Sequence, residues 1–503
     1  MAQQLQNITV AAPGFAGLNT QDSPIGGDPS FAAVADNCVI DKLGRIGARK
    51  GWEAVSSNGA AVLGSSRGIE AVFEYVKRDG TKIVFSAGNN KIFTGTSTLA
   101  AVTLPSGYSI SANNWKIVSF NNDVYFFQRG HAALVSVAGS TTLIAVADGG
   151  TAAPAANEVL AAYGRLWAAD ITANKYVVYW SDLLDGDDWH GGSSGSLDLT
   201  LVWPTGFDEV VALAAHNNFL IIFGKKSMLV YSGASSPASM TLADTVEGVG
   251  CIARDSVQHT GTDILFLSET GVRSFGRTIQ EKSMPMRDIS KNIRTDLLSL
   301  IPLQTNAIKS LYSSEEAFYL LTLPDSNTVY CFDMRRQLED GSNRVTTWSS
   351  MYPLSFVSLE GGAIYIGISS GIVEYKNYMD GAVKYEMRYF SNPMDFGNTS
   401  NLKFLKKFNL TIIGGQNTPT TLNWGYDYSA SFTKQAFTFS SSNIAEYGLA
   451  QYNTTGEYTS SILINTPKVN TSGSGEVATI GIEAEVNGAA FSIQKIDIHA
   501  LLG

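Results

Sequence analysis

The feature that most constrains this chain is a repeated apolar strand–turn–strand unit. Its clearest copy is VVALAAHNNFLIIFGKKSMLVYSG, Val210 to Gly233, in which His216-Asn217-Asn218 and Gly224-Lys225-Lys226 separate three apolar strands. Related units begin at Ile69, Trp115, Val159, Arg254, Ile308 and Pro353. Their middle strands start near Ile83, Val124, Leu166, Leu220, Ile264, Phe318 and Ile364, about 41 to 54 residues apart, the period of propeller blades. Strands apolar on both faces pack against neighbouring blades, and radial closure leaves only short edges. The expected fold is all-β: a β-propeller of six to eight blades over residues 66–383.

Two segments break the repeat. Met284 to Leu303 has helical spacing at Ile293, Leu297, Leu298 and Ile301, with Asp288-Ile289-Ser290 as a start and Pro302 as a stop. It predicts one helical insertion at about 284–303. From about Lys384 period-2 strands appear at Lys403 to Ile413, Thr420 to Tyr428, Lys434 to Phe439, Ser460 to Ile464, Thr479 to Val486 and Phe491 to His499. They predict a C-terminal β-sandwich over 384–503. Residues 1–65, rich in Gly, Pro and Ala, read as an extended arm leading into the propeller.

Composition fits many short strands. Gly numbers 48, and charged residues are 16% of the chain, against about 25% in average soluble proteins. The net charge of −10 argues against a nucleic-acid binder held by phosphate contacts. No run of 18 apolar residues predicts a membrane span, and no apolar run follows a basic start as in a secretory signal. Cys38, Cys251 and Cys331 are far apart and read as buried free thiols.

The opening Gly14 to Trp52 resembles the N-terminal signature of podovirus tail-hub (nozzle) and packaged-DNA stabilisation proteins. The matching pieces are Gly17-Leu18-Asn19, Ser23-Pro24, Asn37-Cys38-Val39-Ile40 and Arg49-Lys50-Gly51-Trp52. NNFLIIFGKKSMLVYSGASSPASM, VGCIARDSVQHTGTDILFLSETGVRSFGR, MRDISKNIRTDLLSLIP and YWSDLLDGDDW are similar to further elements of that family, over roughly residues 14 to 380. The resemblance implies a structural, non-enzymatic subunit of a short phage tail. It would be made in the bacterial cytoplasm and located in the virion. It would form a hexamer below the portal–adaptor complex, retaining packaged DNA and then passing it at ejection without tight binding. Its partners would be the head–tail adaptor, a tail needle or plug, and tailspike or fibre proteins. The basic residues Lys42, Arg45, Arg49 and Lys50 are expected to contact a protein neighbour and not the genome.

A search for chemistry yields no catalytic, cofactor or metal residue. His131, His190, His216, His259 and His499 have no metal-ligand spacing, and there is no GxSxG elbow or P-loop. The acidic stretch Asp182, Asp185, Asp187 and Asp188 lacks EF-hand spacing and reads as a solvated loop. Lys403, Lys406 and Lys407 read as solvent-facing positions on an edge strand. The alternative from another class is a carbohydrate-binding or glycoside-hydrolysing propeller with a sandwich module. It predicts a deep axial pocket lined by Trp, Arg and paired carboxylates.

Overall fold

The computed structural model describes residues 4–23, 27–64, 68–110, 114–204, 206–281, 288–398, 400–429, 431–439 and 464–503. All seven sequence units become antiparallel strand sets: five form four-stranded sheets, one supplies four strands of a ten-stranded sheet, and one is three-stranded. Blade 1 is Ile69–Val76, Lys82–Gly88, Lys91–Thr94 and Ala100–Ala101; blade 2 is Lys116–Phe120, Asp123–Phe127, Leu134–Ser136 and Ile144–Ala145. Blade 3 is Ala156–Ala162, Arg165–Ile171, Val177–Trp180 and Gly195–Asp198; blade 4 is Val210–His216, Phe219–Gly224, Ser227–Ser232 and Thr241–Glu247. A three-stranded unit follows: Gln258–His259, Ile264–Ser268 and Gly271–Ser274. Blade 5 is Lys309–Ser313, Phe318–Leu323, Thr328–Gln337 and Asn343–Trp348. Blade 6 takes Ser355–Ser358, Ile364–Ile368 and Gly371–Tyr375 from its own unit and Trp52–Ala54 from the N-terminal region.

That last strand explains how the ring closes. Trp52 pairs with Tyr375 and Ala54 with Val373, so distant parts of the chain share one blade. Blade 6 also meets blade 1: the Ser355 hydroxyl donates to the Ile69 carbonyl at 2.8 Å. Gly367 lies so close that a Cβ there would stand 2.2 Å from the Ile69 oxygen.

The walls between blades are apolar. Phe85 and Phe126 meet at 5.3 Å between blades 1 and 2. Phe223 and Phe266, both fully buried, meet at 5.1 Å between blade 4 and the three-stranded unit. Trp348 stacks on Tyr375 at 5.5 Å between blades 5 and 6. Tight turns set the register. Asn121-Asn122 and Asn217-Asn218 both have positive φ, as two-residue hairpins with the twist of their strands require, and Asn tolerates that conformation.

The helical insertion is real but divided. Helices run over Phe275–Glu281 and Arg294–Leu300, the second flanked by single 3₁₀ turns at Lys291–Ile293 and Ile301–Leu303. The start of the expected helix, 284–287, lies outside the described residues. Asp288 to Ser290 is not helical. Ile289 N–H donates to the Val272 carbonyl at 3.0 Å, and the Ser290 hydroxyl accepts from Val272 N–H at 3.0 Å. This segment therefore occupies the outer edge of the three-stranded unit, where other blades have a fourth strand.

The C-terminal sandwich pairs two sheets. One contains Lys403–Gly414, Phe491–Leu502, Gln4–Ala11, Cys38–Ile40 and Ile46–Ala48; the other contains Tyr385–Ser391, Ala478–Val486, Pro419–Tyr426 and Thr433–Thr438. Phe408 and Trp424 meet between them at 6.3 Å, within a core that includes Leu410, Ile482 and Ile496. The second sheet continues through Phe31–Asp36 and Gly17–Leu18 into blade 5. Residues 1–65 thus differ from the expected extended arm. From Gln4 onward they supply strands to both sandwich sheets and to blade 6, because short strands complete sheets whose other members lie far away in sequence. Of the expected strand Ser460 to Ile464, all but Ile464 lies outside the described residues.

The basic N-terminal residues also differ from expectation. Arg49 is fully buried. Its guanidinium donates to both Asp380 oxygens at 2.8 and 2.7 Å and to Ser350 at 2.7 Å, and it lies 4.2 Å over the Tyr385 ring. Arg45 is buried against Asp41 at 2.6 Å, and Lys50 pairs with Glu316 at 2.5 Å. Three of the four charges are satisfied inside the chain, since a buried guanidinium needs a carboxylate and further acceptors.

Candidate functional site

The first strands of neighbouring blades lie against one another around the propeller axis, and there the sequence places polar residues at the start of successive units. Arg254, 7% exposed, donates to Asn157 from blade 3 through the carbonyl at 2.6 Å and Oδ1 at 3.0 Å. It also reaches Asn114 Oδ1, before blade 2, at 3.3 Å and Asp255 at 2.7 Å. Lys309 of blade 5, 6% exposed, donates to Asp255 at 2.8 Å and to Asn114. Lys116 of blade 2 stands 3.5 Å from Glu158 of blade 3 and 3.7 Å from Asp255. Glu158 accepts the Leu213 N–H of blade 4 at 3.3 Å. One polar cluster therefore ties blades 2 to 5 and the three-stranded unit.

The two carboxyls are driven apart. Burial pushes the Asp255 carboxyl up, but the Arg254, Lys309 and Lys116 charges outweigh it and hold the group well below the carboxylate range. Burial pushes Glu158 up, and Lys116 and Arg254 only partly oppose it. Its Oε2 is buried with no hydrogen-bond partner. Beside the cluster is a cavity of about 140 Å³ lined by Glu70, Trp115, Lys116, Asp255, Gln258 and Lys309. Pockets that hold small molecules run to roughly 300–1,000 Å³. The axis thus brings together Trp115, Arg254 and two carboxyls, but Asp255 is committed to three cations.

The acidic stretch forms the loop between the third and fourth strands of blade 3, and its carboxylates shape the turns. Asp182 Oδ1 accepts from Leu183 N–H at 2.7 Å and from Ser193 N–H at 2.8 Å; Asp185 Oδ1 accepts from Asp187 N–H at 2.9 Å. Asp188 Oδ1 accepts the His190 and Gly191 N–H groups at 3.0 and 2.7 Å. The histidines are scattered: His131 lies beside Trp115, His216 beside Phe275, His499 beside Asn409, and His259 is an exposed strand residue. Only His190 approaches a carboxylate pair, Asp148 and Asp188, among the described residues.

Lys403, read as a solvent-facing edge position, is fully buried and donates to the Asn398 carbonyl. Its strand is flanked by Phe491–Leu502 on one side and Lys468–Asn470 on the other, so it is not an edge. The three cysteines are free and buried; burial pushes the Cys251 thiol up to about 11, which keeps it unreactive. Among the described residues no helix is long and apolar enough to cross a membrane.

No protein-family model and no curated protein matches this chain. Solved structures match weakly. One is the extracellular domain of a B. thetaiotaomicron protein named as a one-component system, at 12% identity and TM-score 0.40, covering 66% of this chain. The chain spans 40% of that protein's length. A computationally designed protein, Ika8, matches at 13% identity and TM-score 0.37, covering 68% of this chain and 94% of its own. The WD40 β-propeller domain of Doa1 matches at 12% identity and TM-score 0.38, covering 65% of this chain and 96% of its own.

Proposed function

We propose that the chain is a structural subunit of a short phage tail, a hub or nozzle protein that assembles as a ring below the portal–adaptor complex. The observation that carries this reading is the ordered set of segments between Gly14 and about residue 380 that resemble the tail-hub family. An ion-paired cluster links the inner strands of blades 2 to 5, so on this reading a conduit for DNA lies between copies of the chain and not through one propeller. The segment that resembles the tail-hub signature supports it. Trp52–Ala54 completes blade 6, and Arg49 beside it pairs with Asp380 and lies over Tyr385 of the sandwich, which ties the propeller to the sandwich. The net charge of −10 suits a wall that does not hold duplex DNA.

The test is electron microscopy and native mass measurement of the purified chain, alone and mixed with a podovirus portal–adaptor complex. The expected result is a six-membered ring seated on the adaptor, with no retention of duplex DNA at physiological salt. A chain that does not associate with the adaptor, or that cleaves glycans in a hydrolysis screen, would overturn the reading.

A further inference from the structure

We propose that the two ends of blade 3 carry the two halves of one contact between copies of this chain, in which an apolar tip at Leu183-Leu184 seats against Leu201 and Phe207 of the next copy. The inference rests on the ring reading above for the number of copies; the contact itself is read from the surface of the chain.

The strand Arg165–Ile171 joins the two ends, and an extended segment of that length spans roughly 20 Å. At its start, Leu184 N–H donates to the Gly164 carbonyl at 2.8 Å, and the Tyr163 hydroxyl donates to the Phe219 carbonyl of blade 4 at 2.8 Å. Leu183, Leu184 and Phe219 are 53%, 60% and 36% exposed. At its far end, Leu199 N–H donates to the Tyr176 carbonyl at 3.0 Å, and the Tyr176 ring meets Phe207 edge-on at 5.8 Å. Leu201 is 97% exposed there and Phe207 60%. Opposite faces of the propeller thus present apolar side chains at the same pair of blades.

The tip is held out at a cost. Leu184 has a φ of 58°, a left-handed conformation that is unfavourable for a bulky side chain. Its N–H bond to Gly164 and the bond from Asn121 Nδ2 to its carbonyl at 2.9 Å keep it there. A lone copy gains nothing from a strained leucine in water, whereas a covered one buries apolar surface.

Charge selects the occupant. The tip shares its loop with Asp182, Asp185, Asp187 and Asp188, and residues 181–194 contain no Lys or Arg. The three lysines of blades 3 and 4, Lys175, Lys225 and Lys226, all lie at the other end. There Lys175 and Lys225 share one carboxylate, Glu209, at 3.3 and 2.7 Å, while Asp198 accepts the Thr200 N–H and hydroxyl at 2.8 and 2.6 Å. Head-to-tail copies bring ammonium groups to carboxylates; tip-to-tip copies would set carboxylates against each other. A head-to-tail contact is heterologous and closes into a ring when the rotation per copy allows, about 60° for six copies.

The test is sedimentation and native mass measurement of the full chain and of Leu184→Asp, Leu201→Asp and, as an exposed leucine elsewhere, Leu303→Asp. The wild type and Leu303→Asp are expected to assemble as concentration rises. Leu184→Asp and Leu201→Asp should each weaken assembly about tenfold or more. Asp tolerates the left-handed conformation and both leucines are exposed, so folding should survive, which circular dichroism checks. Each variant keeps one intact end. An equimolar mixture of the two should therefore form dimers of one copy each that grow no further. A wild type that stays monomeric at about 100 µM, a concentration at which even a weak specific contact is populated, would overturn the contact and leave the tail reading to its adaptor test. Assembly undiminished in both variants would overturn the contact and leave the ring standing. A mixture that remains monomeric, or a single variant that forms stable homodimers, would overturn the head-to-tail pairing.

Discussion

The propeller axis and the rim of blade 3 are two places where charge gathers, and they handle it in opposite ways. At the axis, Arg254, Lys309 and Lys116 surround Asp255 and Glu158, and each charge has an opposite neighbour. At the rim, Asp185 and Asp187 have no such neighbour among the described residues, and Asp182 has Arg165 at 3.8 Å. The difference follows solvent. A charge taken out of water needs a partner, whereas an exposed one is stabilised by hydration. Charge density along the sequence therefore points to the wrong region: the conspicuous acidic run is surface, and the charges that hold the blades together arrive one or two per unit.

The largest expected effect lies in the apolar walls that flank both regions. Phe266 is fully buried against Phe223. Phe266→Ala should cost about 3–5 kcal/mol, measured by denaturant unfolding. Unfolding at the wild-type midpoint would mean that the three-stranded unit does not pack as a blade.

Asp255→Ala attacks the axis directly. It strands two cations that are 7% and 6% exposed. Removing one partner of a buried pair costs about 3–5 kcal/mol, and Asp255 keeps some contact with solvent, so the expected loss is near the lower end. A loss below about 1 kcal/mol would put the axis in the same class as a surface ion pair.

The walls were legible in the sequence and the axis was not, for a physical reason. Leu220, Ile221, Ile222 and Phe223 form a run whose meaning is local: four consecutive buried residues imply a strand covered on both faces. The Asn-Asn turns are local too. Asn114, Asn157, Arg254 and Lys309 are each one polar residue near a first strand, and only ring closure brings them together. Their recurrence near the start of successive units was the available signal. Gly17–Leu18 and Trp52–Ala54 are too short to show a period, so their segment reads as an arm although it completes distant sheets.

A smaller effect separates the two axial carboxyls by pH. Asp255 is held below its ordinary range, so its contribution is present above about pH 4 and is lost as acid titrates it. Glu158 is pushed above its ordinary range, so folding favours its protonated form. Its contribution is present below about pH 4.3 and is lost as pH rises through its folded value. Glu158→Gln fixes the neutral state. Relative to the wild type, this variant should gain stability as pH rises from about 4 to 8, read from urea midpoints at each pH. A constant difference would mean that Glu158 titrates as it does in the unfolded chain.

The smallest effect is expected at the rim, from Asp185→Asn. Asn keeps the side-chain oxygen that accepts the Asp187 and Asp188 N–H groups at 2.9 and 3.3 Å, so the turn survives. What disappears is one negative charge beside Asp187, whose carboxyl that charge helps to push up. The change should fall within about 0.5 kcal/mol of the wild type, on the stabilising side because repulsion is relieved. Added salt should shrink it, since screening acts on exposed charges over about 10 Å at 0.1 M. A loss of 2 kcal/mol or more at any salt concentration would show that the rim, like the axis, depends on a fixed partner for its carboxylates, and the contrast between the two regions would fail.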